Sequence, residues 1–167
     1  MWGWKRNTAG PDDGDRGERW VLAQIPLLLL AFIVPSVGSA TVAWPAGTQP
    51  PRAAAGFCAG TSGASLLALG LLHLGRNLTP FPRPRAEGAL VTTGVYGLVR
   101  HPIYGGLVLL ALAFGLRGHT WLALPVDALV FLFFARKARA EEKWLRERFP
   151  DYHSYQERTA KLLPWIY

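Results

Sequence analysis

At 167 residues the chain has room for one domain. Half of it is hydrophobic, and 18 Lys plus Arg against 11 Asp plus Glu give a net charge of +7; long apolar runs beside basic blocks point to a membrane rather than to nucleic acid. The single cysteine, Cys58, excludes an intramolecular disulfide, and no Cys/His spacing resembles a zinc site.

Residues 1–19, polar and Gly-rich, read as a flexible tail. Residues 20–44, WVLAQIPLLLLAFIVPSVGSATVAW, are long enough to cross a bilayer core of about 30 Å, with kinks expected at Pro26 and Pro35. Asp12, Asp13, Asp15 and Glu18 ahead of this run, and its continuation past Ala40, argue against a cleaved signal peptide. PAGTQPPR, 45–52, reads as a turn-rich loop. A second span follows at 53–75, whose Gly, Ala, Ser and Thr let helices approach closely. Within it, Cys58 reads as a small buried hydrophobe and His73 as an interfacial or hydrogen-bonded histidine. A Pro-, Gly- and Arg-rich loop occupies 76–94. A third apolar run at 102–116 is only about 22 Å long as a helix, a fourth covers 119–135, and 136–161 is charged with helical periodicity.

The expected fold is therefore an all-α membrane protein with about four transmembrane helices, two in 20–75 and two in 76–167, and a cytoplasmic C-terminal amphipathic helix. Basic residues gather in the tail, in the 76–101 loop and beyond residue 135. That distribution puts both termini and the loop on the cytoplasmic side.

The stretch GVYGLVRHPIYGG, 94–106, joins the polar loop to the third run. Pro102 is favoured at a first helical position, which puts His101 at the cap. The amides of Ile103, Tyr104 and Gly105 and the charge of Arg100 would then make an anion site. Gly94 and Gly97 permit a tight backbone path, and Tyr96 and Tyr104 offer aromatic faces to a cation or heterocycle. Along 127–152, helical spacing puts Asp127, Phe131, Phe134, Ala138, Glu141, Leu145 and Phe149 on one stripe. Glu141 interrupts the apolar face, Glu142 is expected to pair with Arg146 at i,i+4, and Asp127 falls inside the fourth run, where a carboxylate is costly.

NLTPFPRP, GALVTTGVYGLVRHPIYGG and EEKWLRERFPDYHSYQERTAKLLP resemble the isoprenylcysteine carboxyl methyltransferase family, of which phospholipid methyltransferases are a related branch. The resemblance implies an integral membrane methyltransferase using S-adenosylmethionine, with no metal and no nucleic acid partner. It implies cofactor contacts on Gly88 to Val91 (including Leu90), on Tyr96, on Arg100, His101, Pro102, Ile103 and Tyr104, and on Glu141. Glu141, Glu142 and Arg136 are the catalytic candidates. Where the eukaryotic enzymes tie an arginine to the acceptor, this chain has Lys137, with Arg136 and Arg139 adjacent. The acceptor implied is a lipophilic small molecule or lipidated protein with an isoprenylcysteine-type carboxylate. The alternatives are a phospholipid N-methyltransferase, a non-catalytic helix bundle binding anionic lipid, and a relative that reduces lipids with a nicotinamide cofactor.

Overall fold

The structure, a computed structural model, describes residues 17–37, 40–78, 89–164 and 166–167. Residues 1–16 of the expected tail, and Gly88, Arg83 and Arg85 of the expected loop, lie outside the described residues. Among the described residues five α-helices carry the fold: α1 (Glu18–Ile33), α2 (Gln49–Leu74), α3 (Pro102–Arg117), α4 (Ala123–Arg148) and α5 (Tyr152–Arg158). Among the described residues two segments are long and apolar enough to cross a membrane, Glu18–Ser36 and Gln49–Leu74, while α3 is a shorter apolar helix.

The first apolar run does not stay helical to residue 44. It tightens into a 3-10 turn at Val34–Ser36 around Pro35, whose missing N–H cannot continue the ladder. Residues beyond it pair with the α3–α4 connection instead: Ala43 bridges Thr120, and the Thr120 hydroxyl donates to the Val42 carbonyl at 2.8 Å. The expected 45–52 loop is shorter than its prolines suggested. Pro50 and Pro51 fall in the first turn of α2, where proline costs no hydrogen bond.

α2 and α3 pack most closely, along a seam of small residues. A Cβ placed on Gly63 would come within 2.9 Å of the Gly106 carbonyl, and one on Gly70 within 3.1 Å of Pro102. Removing side chains is how helices gain contact where water supplies no drive. Gly56, Gly63 and Gly70 form the buried stripe of α2. Cys58 lies about 200° around the helix from Gly56, and it is exposed, not buried as its neighbours suggested. α1 packs on α3 and α4, giving a core of Ala31, Val108, Ala111, Val126, Val130 and Phe134.

The fourth run and the charged segment after it form one helix, α4, which ends where Phe149 turns extended before Pro150. Its Asp127 is 7 % exposed, packed against Gly115 of α3, and neither carboxylate oxygen has a hydrogen-bond partner among the described residues.

Candidate active site at the start of α3

The approach to α3 is bent by Gly94, at φ +63°, where a Cβ would strike the His73 ring at 2.6 Å. His73 itself hydrogen-bonds the Leu69 carbonyl through Nδ1 at 2.9 Å. A 3-10 turn, Gly94–Gly97, then buries Tyr96, whose phenol donates to the Gly70 carbonyl at 3.2 Å. Gly97 adopts no positive φ; only Gly94 of the pair uses glycine's freedom. His101 caps α3 and Pro102 opens it.

The chain after α5 folds back along this approach. Val99 and Ala160 form a parallel bridge, and the amides of Arg100 and His101 donate to the carbonyls of Ala160 (2.9 Å) and Lys161 (3.0 Å). The Leu162 carbonyl sits so close to Gly105 that a Cβ there would lie 1.9 Å away. The Tyr155 phenol donates to the Tyr96 carbonyl at 2.6 Å. Periodicity carries no signal for such non-local pairing, and by sequence alone 159–161 read as the end of a charged helix.

This fold-back occupies much of the anion site expected at the helix start. The Gly105 amide closes the first turn on the His101 carbonyl at 3.0 Å. The Ile103 amide faces Gly70 of α2. Arg100, its side chain 9 % exposed, is bound to Glu142 through Nε at 2.8 Å and to the Gln156 carbonyl at 2.9 Å, and also donates to the Thr159 carbonyl. The anion held here is thus the protein's own Glu142, which also meets His101 Nε2 at 3.5 Å and Lys161 at 3.4 Å. Glu142 does not pair with Arg146, which reaches Gln156 instead.

The two glutamates, one residue apart, have opposite surroundings. Burial alone would raise the Glu142 carboxyl; the close approach of His101, the Arg100 bond and the Lys161 charge outweigh it and bring it to about 2. Burial raises Glu141, and His101, Tyr104 and Lys137 only partly offset it. Tyr104 donates to Glu141 Oε2 at 2.9 Å, and the His101 ring stacks on Tyr104 with centroids 5.4 Å apart while Nδ1 lies 3.6 Å from the same oxygen.

Glu141 opens onto a cavity of about 220 Å³. Of the expected residues, Ala89, Leu90, Val91, Tyr96, Arg100, His101, Ile103, Tyr104 and Glu141 line it. Pro102 is buried against Gly70, outside the lining. Glu142 does not reach the cavity, and Arg136, 100° further round α4 than its neighbour, is exposed on the other face. Lys137 lines it instead, 2 % exposed, donating to Gln24 Oε1 of α1 at 2.7 Å. Burial lowers the Lys137 ammonium, and the Glu141 charge opposes the fall. Gln24 was missed, although it is the lone polar side chain within WVLAQIPLLLL. Tyr152 was also missed as a site residue. It lines the cavity, is 1 % exposed, and its hydroxyl has no hydrogen-bond partner among the described residues. The Ala89 amide donates to Asn77 Oδ1 at 3.1 Å, which ties the 89–91 wall to the end of α2.

A family model described as phospholipid methyltransferase matches residues 52–152. The chain is 35% identical over 81 residues to the cobalt-zinc-cadmium resistance protein CzcN of Cupriavidus metallidurans, covering 48% of this chain and 38% of that one. It is 30% identical over 104 residues to protein-S-isoprenylcysteine O-methyltransferase B of Arabidopsis thaliana, covering 58% and 51%. In fold it resembles the solved eukaryotic intramembrane Ras methyltransferase, an isoprenylcysteine carboxyl methyltransferase, with a TM-score of 0.64 over 93% of this chain and 54% of that one at 19% identity. The chain spans about half the length of these relatives, or less.

Proposed function

Because the chain belongs to the phospholipid methyltransferase family, we propose that it is an integral membrane enzyme transferring a methyl group from S-adenosylmethionine to a lipophilic acceptor. In this reading α1 to α4 all span the bilayer, with 20–75 supplying two spans and 76–167 the site and the other two. Both termini and the cavity then face the cytoplasm, because the basic residues gather at that end.

The observation that carries the reading is the cavity, which opens between the start of α3 and the glutamate face of α4. Its donor set suits the cofactor. Glu141 and the face of Tyr104 offer negative potential to a sulfonium or ammonium, Leu90, Val91, Leu107 and Phe149 offer apolar walls, and the unpartnered Tyr152 hydroxyl leaves one buried donor to be met by a ligand. S-adenosylmethionine, when bound, supplies the electrophilic methyl group.

Methyl displacement from a sulfonium needs no protein nucleophile, so this chain's residues contribute orientation and dryness. Well-oriented reactants gain up to about 7–11 kcal/mol from proximity. Tyr104 and His101 hold the Glu141 carboxylate in one place at the cavity wall. A carboxylate acceptor requires no base; an amine would lose its proton to Glu141, whose raised carboxyl is the better base of the two glutamates. Lys137 and Gln24 form the wall where the acceptor's polar end would lie, a role we assign to Lys137 in place of Arg136. A phospholipid amine as acceptor is the second reading, favoured by the description of the matching family model.

Calorimetric titration of the purified chain with S-adenosylhomocysteine tests the cofactor. Binding that Glu141→Ala and His101→Ala abolish supports the reading. Equal binding by all three, or none by folded wild type, overturns it in favour of a lipid-binding bundle, and preferential NADPH binding favours a reductase. Mass analysis of a lipid extract incubated with isotope-labelled cofactor then separates carboxyl from amine acceptors.

A further inference from the structure

A second cavity of about 570 Å³ lies at the opposite end of the helices, between α2 and α3, closed on one side by Pro35 and Ser36. Its floor is made of Gly56, Gly60, Ala64 and Ala113, side chains too small to fill the space between the helices. The groove runs about 12 Å along α2 from Gly56 to Ala64. Phe57 and Phe114 form its rims, 62% and 50% exposed, so the groove opens sideways onto the surface that the bilayer placement proposed above turns to lipid.

The mouth carries Arg117 and His119, and no carboxylate lines the groove among the described residues. The two arginines at this end have different fates. Arg52 is occupied: it donates to the Leu116 carbonyl at 2.6 Å, reaches Gly118, and stacks over Trp44 at 4.4 Å. Arg117 lays its stem against Gly56, yet its guanidinium has no hydrogen bond or ion pair among the described residues. An exposed guanidinium at the end of an apolar slot matches one ligand chemistry: an alkyl chain ending in an anion. The negative end of α3 would oppose an anion here, but the positive end of α2 lies alongside it and Arg52 caps the α3 carbonyls.

We infer that this groove holds one anionic phospholipid, an acyl chain between Phe57 and Phe114 and the phosphodiester on Arg117. A second copy of the chain is the weaker occupant. An isologous contact presents the same patch twice, and this patch offers no counter-charge to its own arginine. The inference rests on the bilayer placement proposed above but not on the methyl-transfer cavity.

Native mass spectrometry of the full chain, delipidated in detergent and titrated with phosphatidylglycerol or with diacylglycerol, which lacks the phosphate, tests it. Wild type should retain one phosphatidylglycerol per chain, about tenfold more tightly than diacylglycerol, the usual gain from a charge-assisted bond. Arg117→Ala should erase that preference. Gly60→Leu should weaken both lipids while leaving S-adenosylhomocysteine binding intact, because a Cβ at Gly60 meets only the Ala113 Cβ at an ordinary 3.4 Å and the longer side chain fills the slot. Equal phosphatidylglycerol retention by all three proteins overturns the inference. So does full competition by soluble glycerol phosphate, which would assign a headgroup site without a chain. A dimer that Gly60→Leu converts to monomer would assign the groove to a second copy.

Discussion

Replacing Glu142 with glutamine should unfold the protein more easily than any comparable change at Glu141. Glu142 is held at about 2 against an ordinary 4.5, by His101, Arg100 and Lys161 acting against its burial. That difference corresponds to roughly 3 kcal/mol of folded-state stability at neutral pH. The variant also leaves Arg100 buried with its carboxylate partner gone, and breaking one side of a buried pair costs about 3–5 kcal/mol. At about 2–4 °C per kcal/mol for a chain of this size, the midpoint should fall by roughly 6–12 °C. Because the Glu142 carboxyl is depressed, its contribution is fully present above pH 4.5 and is lost as pH drops from there toward 2. Glu141 has the opposite sign. Its carboxyl is raised, so its contribution is greatest below 4.5 and declines as pH rises through the elevated value. Glu141→Gln should therefore keep or gain thermal stability at pH 7 while losing ligand affinity. Intrinsic tryptophan fluorescence in detergent micelles, recorded from pH 2 to 8, measures both. The reasoning fails if Glu142→Gln melts within 2 °C of wild type at pH 7, or if Glu141→Gln is the less stable variant.

Gly105→Ala should displace the fold-back segment, since the Leu162 carbonyl cannot yield to a Cβ 1.9 Å away without moving; tryptic cleavage at Lys161 should accelerate, and S-adenosylhomocysteine affinity should drop at least tenfold as His101 and Arg100 lose their backbone ties. Lys137→Met should reduce label incorporation into lipid by one to two orders of magnitude with little change in S-adenosylhomocysteine affinity, whereas Arg136→Met, on the exposed face, should change incorporation less than twofold.

The local features of the site were readable because each rests on a short-range rule. Pro102 announces a helix start, and an acidic residue breaking an apolar stripe announces Glu141. The division of labour between Glu141 and Glu142 was not readable. One helical step of 100° decides which carboxylate sees the cavity, and that depends on where the 98–101 segment docks. Arg100 looked available to a ligand because its partners, Gln156 and Thr159, lie more than fifty residues away and pair with it only after α5 folds back. The first apolar run was read too long because residues 40–44 are hydrophobic for a different reason: they pack on the α3–α4 connection. Gln24 was passed over because its importance comes from Lys137, 113 positions later.

α4 is one unbroken helix from Ala123 to Arg148, and its buried lower half and its Glu141 therefore move as a single rod. From Asp127 to Glu141 that rod is about 21 Å long. In the bilayer placement proposed above, a ten-degree change in tilt about Asp127 swings the carboxylate sideways by roughly 4 Å, more than the Tyr104 hydrogen bond can follow. Membrane thickness, which sets helix tilt, thus has a mechanical lever on the chemistry.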